Sequence, residues 1–135
     1  MSSIAQVFAL AAAFVHLLAF SWEVVLFHRP GVHHGIFRIP TTDVGPTRLW
    51  SFNVGFYNLF LAAGPIIGVA AWQAGNAAAA RTLVLYCCSF MALAGVVLFV
   101  SDRLAMSRPK GAGVGGALAQ SVPALVAVVL VLTAG

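Results

Sequence analysis

Residues 82–101 read TLVLYCCSFMALAGVVLFVS, an apolar run of 20 residues without Asp, Glu, Lys or Arg. An α-helix needs about 20 such residues to cross the roughly 30 Å hydrocarbon core of a bilayer. Runs of similar length occupy residues 4–27, 49–72 and 114–134. Backbone groups in lipid must bond internally, and the runs lack the two-residue alternation of membrane strands. The sequence therefore predicts an all-α membrane protein, with four transmembrane helices forming a small bundle.

The composition of the 135-residue chain favours the same class. Hydrophobic residues make up 61%, charged residues make up 7%, and the mean hydropathy is +1.00. Because soluble domains carry about 25% charged residues, this chain cannot cover a water-facing surface. A soluble enzyme, a disordered tail and a nucleic-acid binder are therefore excluded. The length predicts one four-helix membrane domain over residues 1–135.

The segments between the helices predict the orientation. Segment 28–48 is long and polar, and its prolines and glycines are expected to break any helix. Segment 102–113 is basic and then Gly-rich. These two segments share one side and hold six basic residues, Arg29, Arg38, Arg48, Arg103, Arg108 and Lys110, against Arg81 alone on the other side. Positive residues favour the cytoplasm, so we expect both segments there and both termini outside. The first apolar run is longer than that of a signal peptide and is expected to be retained.

Polar side chains within the predicted helices form the candidate site. They are His16 and Glu23 in the first helix, Asn53, Tyr57 and Asn58 in the second, and Gln120 in the fourth. A rise of about 1.5 Å per residue places them roughly 6–16 Å from the cytoplasmic helix ends. The sequence thus predicts a polar layer that opens to the cytoplasm, with His16 at its floor. Intramembrane ionisable residues such as Glu23 are functional candidates by default.

Each of these residues also has a structural interpretation. Asn, Gln and Tyr in membrane helices often only bond across helices, which contributes about 0.6–2 kcal/mol. His16 fits a packed, neutral histidine as well as a proton-linked or ligand-binding one. Glu23 is near enough to the interface to be hydrated, or to be neutralised by an arginine of the first loop. Gly64 and Gly68 predict close helix packing.

No metal site, cofactor or catalytic residue is predicted. The loop histidines His28, His33 and His34 lack ligand-grade spacing, with or without Asp43. A haem would need an axial histidine in the bundle core, where only His16 qualifies. No nucleophile–base pair or phosphate loop is present, so the sequence does not favour an enzyme, although a redox or isomerase role for His16 and Glu23 stays open.

Four strings of the sequence resemble a known family. They are residues 16–27, residues 36–37, NVGFYNLFLAAG at residues 53–64, and QSVPA at residues 120–124. In their order and spacing they are similar to the small bacterial membrane proteins catalogued as domain of unknown function 1304. The resemblance implies four helices, an integral protein of the bacterial inner (plasma) membrane, and no established activity. Its motif positions are His16, Glu23, Asn53, Gly55, Tyr57, Asn58, Gln120 and Pro123. Val15 and Val54 depart from it, since the family usually has an acid and a Gln there.

The leading functional prediction is binding or transport of a small amphipathic ligand in a cytoplasm-facing pocket around Glu23. The lipid bilayer is the expected environment, and a homodimer or a larger membrane complex is compatible with so small a chain. One alternative is an accessory or assembly subunit of a larger membrane complex, in which the polar layer serves only packing. A second alternative is a proton-coupled transporter like the small multidrug exporters, which also have a key Glu in the first of four helices.

Overall fold

The computed structural model describes residues 1–106 and 109–133, which form helices joined by short segments. Helix α1 (Ser3–Phe20) continues into a π-helical segment (Ser21–Val25), and α2 (Pro30–His33) and a 3₁₀ turn (Thr41–Asp43) follow. Three more long helices follow, α3 (Val44–Gln73), α4 (Ala77–Arg103) and α5 (Val114–Thr133), so that with α1 there are four in the described residues. Four helical spans in this described part are long and apolar enough to cross a membrane. The predicted all-α fold of four packed membrane helices is confirmed.

The first loop is more helical than expected. The prediction that prolines and glycines break any helix in segment 28–48 is wrong, because α2 lies within it and α3 begins at Val44. Pro30 is the first residue of α2, and Pro46 lies in the first turn of α3. Backbone N–H groups of a first turn have no intrahelical partner, so proline loses nothing there. Two sequence-based assignments, Arg108 in the charge count and Ala134 as the last helical residue, lie outside the described residues.

The long helices form a four-membered ring, in which α1 and α4 each pack against both α3 and α5. Alanines fill the contact between α1 and α5, where Ala5, Ala9 and Ala12 meet Ala124 and Ala127 in one fully buried cluster. Lipid is as apolar as these side chains, so helices in a membrane associate chiefly by close packing. Small residues allow that packing because they let two backbones approach.

Glycines of α3 set its contact with α4. A Cβ atom added at Gly64 would collide with the Cys87 sulfur, and one at Gly68 would lie 2.9 Å from Val84 Cγ2. The predicted close packing at Gly64 and Gly68 is therefore confirmed. Cys87 and Cys88 are both free thiols buried in this part of the bundle.

Gly64→Ala is expected to destabilise the protein by about 1–3 kcal/mol, because the added methyl overpacks the contact with Cys87. Cys87→Ala removes the sulfur that the added methyl contacts. The double variant should therefore lose less free energy of unfolding than the sum of the two single losses. Thermal unfolding of wild type, both single variants and the double variant in one detergent measures this coupling. Strictly additive effects would contradict the assigned contact.

Candidate functional site

A cavity of about 1090 Å³ lies between α1, α3, α4 and α5, in the half of the bundle where α1 ends and α5 begins. Its walls are mostly apolar. The aromatic lining residues are Trp22, Phe37, Tyr57, Phe60, Tyr86 and Phe90, and the polar ones include His16, Glu23, Asn58 and Gln120. All four long helices therefore contribute to one site, with the polar groups concentrated on α1, α3 and α5.

The π-helical segment positions Glu23 at this cavity. Its wider turn replaces the last turn of α1, and the Ser51 hydroxyl of α3 donates a hydrogen bond to the Glu23 backbone oxygen at 2.7 Å. Gly55 makes the close approach to α3 possible, since a Cβ atom there would collide with Val24 and lie 3.1 Å from Glu23 Cβ. Short π-helical segments within helices are frequent at functional sites.

A chain of hydrogen bonds connects three of the predicted site residues. The Asn58 amide Nδ2 donates to Glu23 Oε2 at 2.7 Å, and Asn58 Oδ1 lies 2.7 Å from His16 Nδ1. The His16 side chain is only 3% exposed, and its second nitrogen, Nε2, is buried without a hydrogen-bond partner among the described residues. Asn58 thus joins a carboxylate to an imidazole across the α1–α3 contact.

The other predicted site residues divide into two groups. Tyr57 and Gln120 line the cavity together with the hydrogen-bonded chain. Asn53 does not line it, because its side chain is exposed and its amide donates to the Leu49 carbonyl oxygen of its own helix at 3.0 Å. The structure therefore brings five of the six predicted residues to one cavity and leaves Asn53 outside.

The loop histidine His33 packs against other residues of the first loop. It is buried, its Nδ1 lies 3.1 Å from the Ile39 carbonyl oxygen, and its ring packs near Phe27. Within residues 1–106 and 109–133, no three His, Cys, Asp or Glu side chains come together as a metal site. His33 therefore joins the two ends of the segment from Phe27 to Ile39.

Sequence reasoning missed Asp102, which anchors one end of the cavity. Asp102 is fully buried at the end of α4, where it accepts hydrogen bonds from Arg103 and from the backbone N–H groups of Gly111 and Gly113 at 2.8 and 2.7 Å. Gly113 and its neighbour Ala112 line the cavity. The sequence signal for this role is an acid at the end of an apolar run, directly before a basic and then Gly-rich segment.

The third predicted helix also contributes more than expected. Tyr86 and Phe90 of α4 lie one helical turn apart and both line the cavity, as do Tyr57 and Phe60 of α3. Aromatic residues spaced by four were the signal for this wall, since that spacing puts them on one helix face.

The fold and the cavity define a multi-pass membrane protein, a four-helix bundle with a polar group of side chains inside. A sequence model of the family described as "Protein of unknown function (DUF1304)" matches residues 10–132, and the chain belongs to this family. No curated protein and no solved structure matches the chain.

Proposed function

We propose that this protein binds a small amphipathic ligand in the cavity between its four helices. The observation that carries the proposal is the hydrogen-bonded chain of Glu23, Asn58 and His16 on the wall of an otherwise mainly apolar cavity of about 1090 Å³. Small-molecule sites are usually apolar concavities of roughly 300–1,000 Å³ with a few convergent polar groups. The polar chain would hold the ligand's head, and the aromatic walls would hold its apolar body.

The surroundings of the cavity support entry from the bilayer. Tyr57 on α3 and Tyr86 on α4 line the cavity and are 66% and 72% exposed, so the wall that they form also faces the outside of the ring. In a membrane that side faces lipid. A ligand dissolved in the bilayer would therefore reach the polar chain by passing between two aromatic side chains.

The charge count supports one orientation of the site. Six of the seven basic residues lie in segments 28–48 and 102–113, which adjoin the cavity end of the bundle. By the preference of positive residues for the cytoplasm, we place the cavity in the cytoplasmic half of a plasma membrane. Ile36 and Phe37 of the first loop and Gly113 of the last line that end, so a cytoplasmic route would pass between the two loops.

Glu23→Gln is expected to lose the bound ligand. The substitution keeps the size of the side chain and one oxygen that can accept from Asn58, but it removes the negative charge. The charge-assisted hydrogen bond becomes a neutral one, so occupancy should fall about tenfold or more, equivalent to at least about 1.4 kcal/mol. Native mass spectrometry of protein extracted in mild detergent measures this as a bound mass that is present in wild type and depleted in the variant.

Asp43→Asn is the matched control, because it removes one negative charge from an exposed turn away from the cavity. It should retain the ligand as wild type does. Ligand-free protein in all three samples, or equal occupancy in all three, would contradict the proposal. Stable co-purification of larger proteins with ligand-free wild type would favour an accessory subunit instead.

A further inference from the structure

We propose that the ligand carries a hydroxyl group that donates a hydrogen bond to His16 Nε2. The inference rests on the proposed function and narrows it to one chemical class, an apolar molecule with a hydroxyl head. Its basis is the direction of the hydrogen bonds that reach His16, together with the buried nitrogen left without a partner at the end of the chain.

The direction is set at Glu23. A carboxylate only accepts hydrogen bonds, so the donor side of the Asn58 amide, Nδ2, faces Glu23 Oε2 at 2.7 Å. The carbonyl side of the same amide, Oδ1, must then face the other way, toward His16. Asn58 therefore presents an acceptor to the imidazole, and Glu23 acts as a positioning residue for it.

That acceptor selects one tautomer of His16. Asn58 Oδ1 lies 2.7 Å from Nδ1, so Nδ1 must carry the proton that is shared between them. A neutral imidazole has a single N–H, which leaves a free lone pair on Nε2. In histidines that bind a metal through one ring nitrogen, a hydrogen bond at the other nitrogen fixes the tautomer and the orientation of the ring.

Nε2 thus requires a donor, which no described residue supplies. Nε2 itself is buried, but His16 lines the cavity, so we assign the donor to the molecule that occupies that space. A metal is disfavoured because no second and third ligand of the usual kind converge here among the described residues. A hydroxyl group satisfies the nitrogen, and the aromatic walls suit a hydrocarbon body.

The test uses two probes with the same apolar body, 4-octylphenol and its methyl ether 4-octylanisole, titrated calorimetrically into the protein in lipid nanodiscs. The phenol donates a hydrogen bond and the ether does not. We expect the phenol to bind wild type about tenfold more tightly or better, because a site built around a hydrogen bond discriminates against the analogue that lacks it. His16→Phe should reduce that ratio to about one while still binding the ether.

A second measurement needs no variant. In protein labelled with ¹⁵N-histidine, the imidazole chemical shifts of His16 should be those of a protonated Nδ1 and an unprotonated Nε2. The phenol should change the chemical shift of Nε2, and the methyl ether should not. A proton on Nε2 would overturn the inference. Equal affinities for phenol and ether would also overturn it, but would leave ligand binding in the cavity intact. Failure of both probes to bind folded wild type would contradict the proposed function as well.

Discussion

Gly95→Val is expected to prevent most of the protein from reaching its folded state. A Cβ atom at Gly95 would collide with the Ser121 hydroxyl and lie 2.9 Å from the Ala117 carbonyl oxygen and 3.0 Å from Gln120 Cγ. The hydroxyl can rotate away, but a backbone carbonyl in α5 cannot move without moving its helix. Overpacking by a few atoms costs about 1–3 kcal/mol, and a valine on a backbone contact should exceed this range. Total stabilities are only about 5–15 kcal/mol, so the folded fraction should fall visibly.

The measurement is the yield of monodisperse protein after mild extraction, followed by its thermal unfolding midpoint. Gly115→Val is the matched control, because Gly115 also lies in a long helix but has nothing within 4 Å of an added Cβ atom. Both variants replace a helical glycine with the same β-branched residue, so the added atoms are identical and only their surroundings differ. Equal yields and midpoints for the two variants would show that α4 and α5 are not in close contact at Gly95.

The fold was largely predictable because the hydrophobic spans are a local property of the sequence. Each span is a continuous apolar run, and the bilayer imposes one secondary structure on it. The start of α3 was not predictable in the same way. Pro46 normally signals a helix break, but its effect depends on its position within the first turn, and that position depends on where the helix begins.

The site was partly predictable for a related reason. A regular helical rise fixes the depth of a polar residue, so the sequence places His16, Glu23, Asn58 and Gln120 in one layer. Depth does not determine the hydrogen-bond partner. Asn53 has a suitable depth, but its amide bonds to a carbonyl of its own helix, a choice of rotamer that periodicity cannot show.

Two features of the site depend on long-range contacts that the sequence does not reveal. The π-helical turn at Glu23 is matched by α3, where the Ser51 hydroxyl donates a hydrogen bond to the Glu23 carbonyl oxygen and Gly55 leaves space for Val24. The Gly-rich segment after Asp102 is a signal for its role, but the sequence does not show which backbone N–H groups bond to the carboxylate. Both features lie at the boundary of the cavity, so the sequence predicts its polar interior better than its walls.

Asp102→Ala is expected to destabilise the protein and to open the end of the cavity. The substitution removes the acceptor for the N–H groups of Gly111 and Gly113 and for the Arg103 guanidinium. Hydrogen bonds to a charged group are stronger than neutral ones, and buried donors left without partners are unfavourable. We expect the unfolding midpoint to fall by about 5–10 °C, measured by near-UV circular dichroism or intrinsic fluorescence in a fixed detergent.

The same substitution separates two roles of the last loop. Asp102→Asn keeps one acceptor oxygen, so it should retain the contact with one glycine and unfold between wild type and Asp102→Ala. Asp43→Ala, which removes an exposed acid from the 3₁₀ turn, should unfold close to wild type.

If the loop held by Asp102 closes the cavity through Ala112 and Gly113, two rates should increase in Asp102→Ala at temperatures where it is fully folded. They are hydrogen exchange at these two residues and the dissociation of 4-octylphenol. Faster exchange with unchanged dissociation would mean that ligands leave only between α3 and α4. Unchanged stability and exchange would show that Asp102 does not hold the loop.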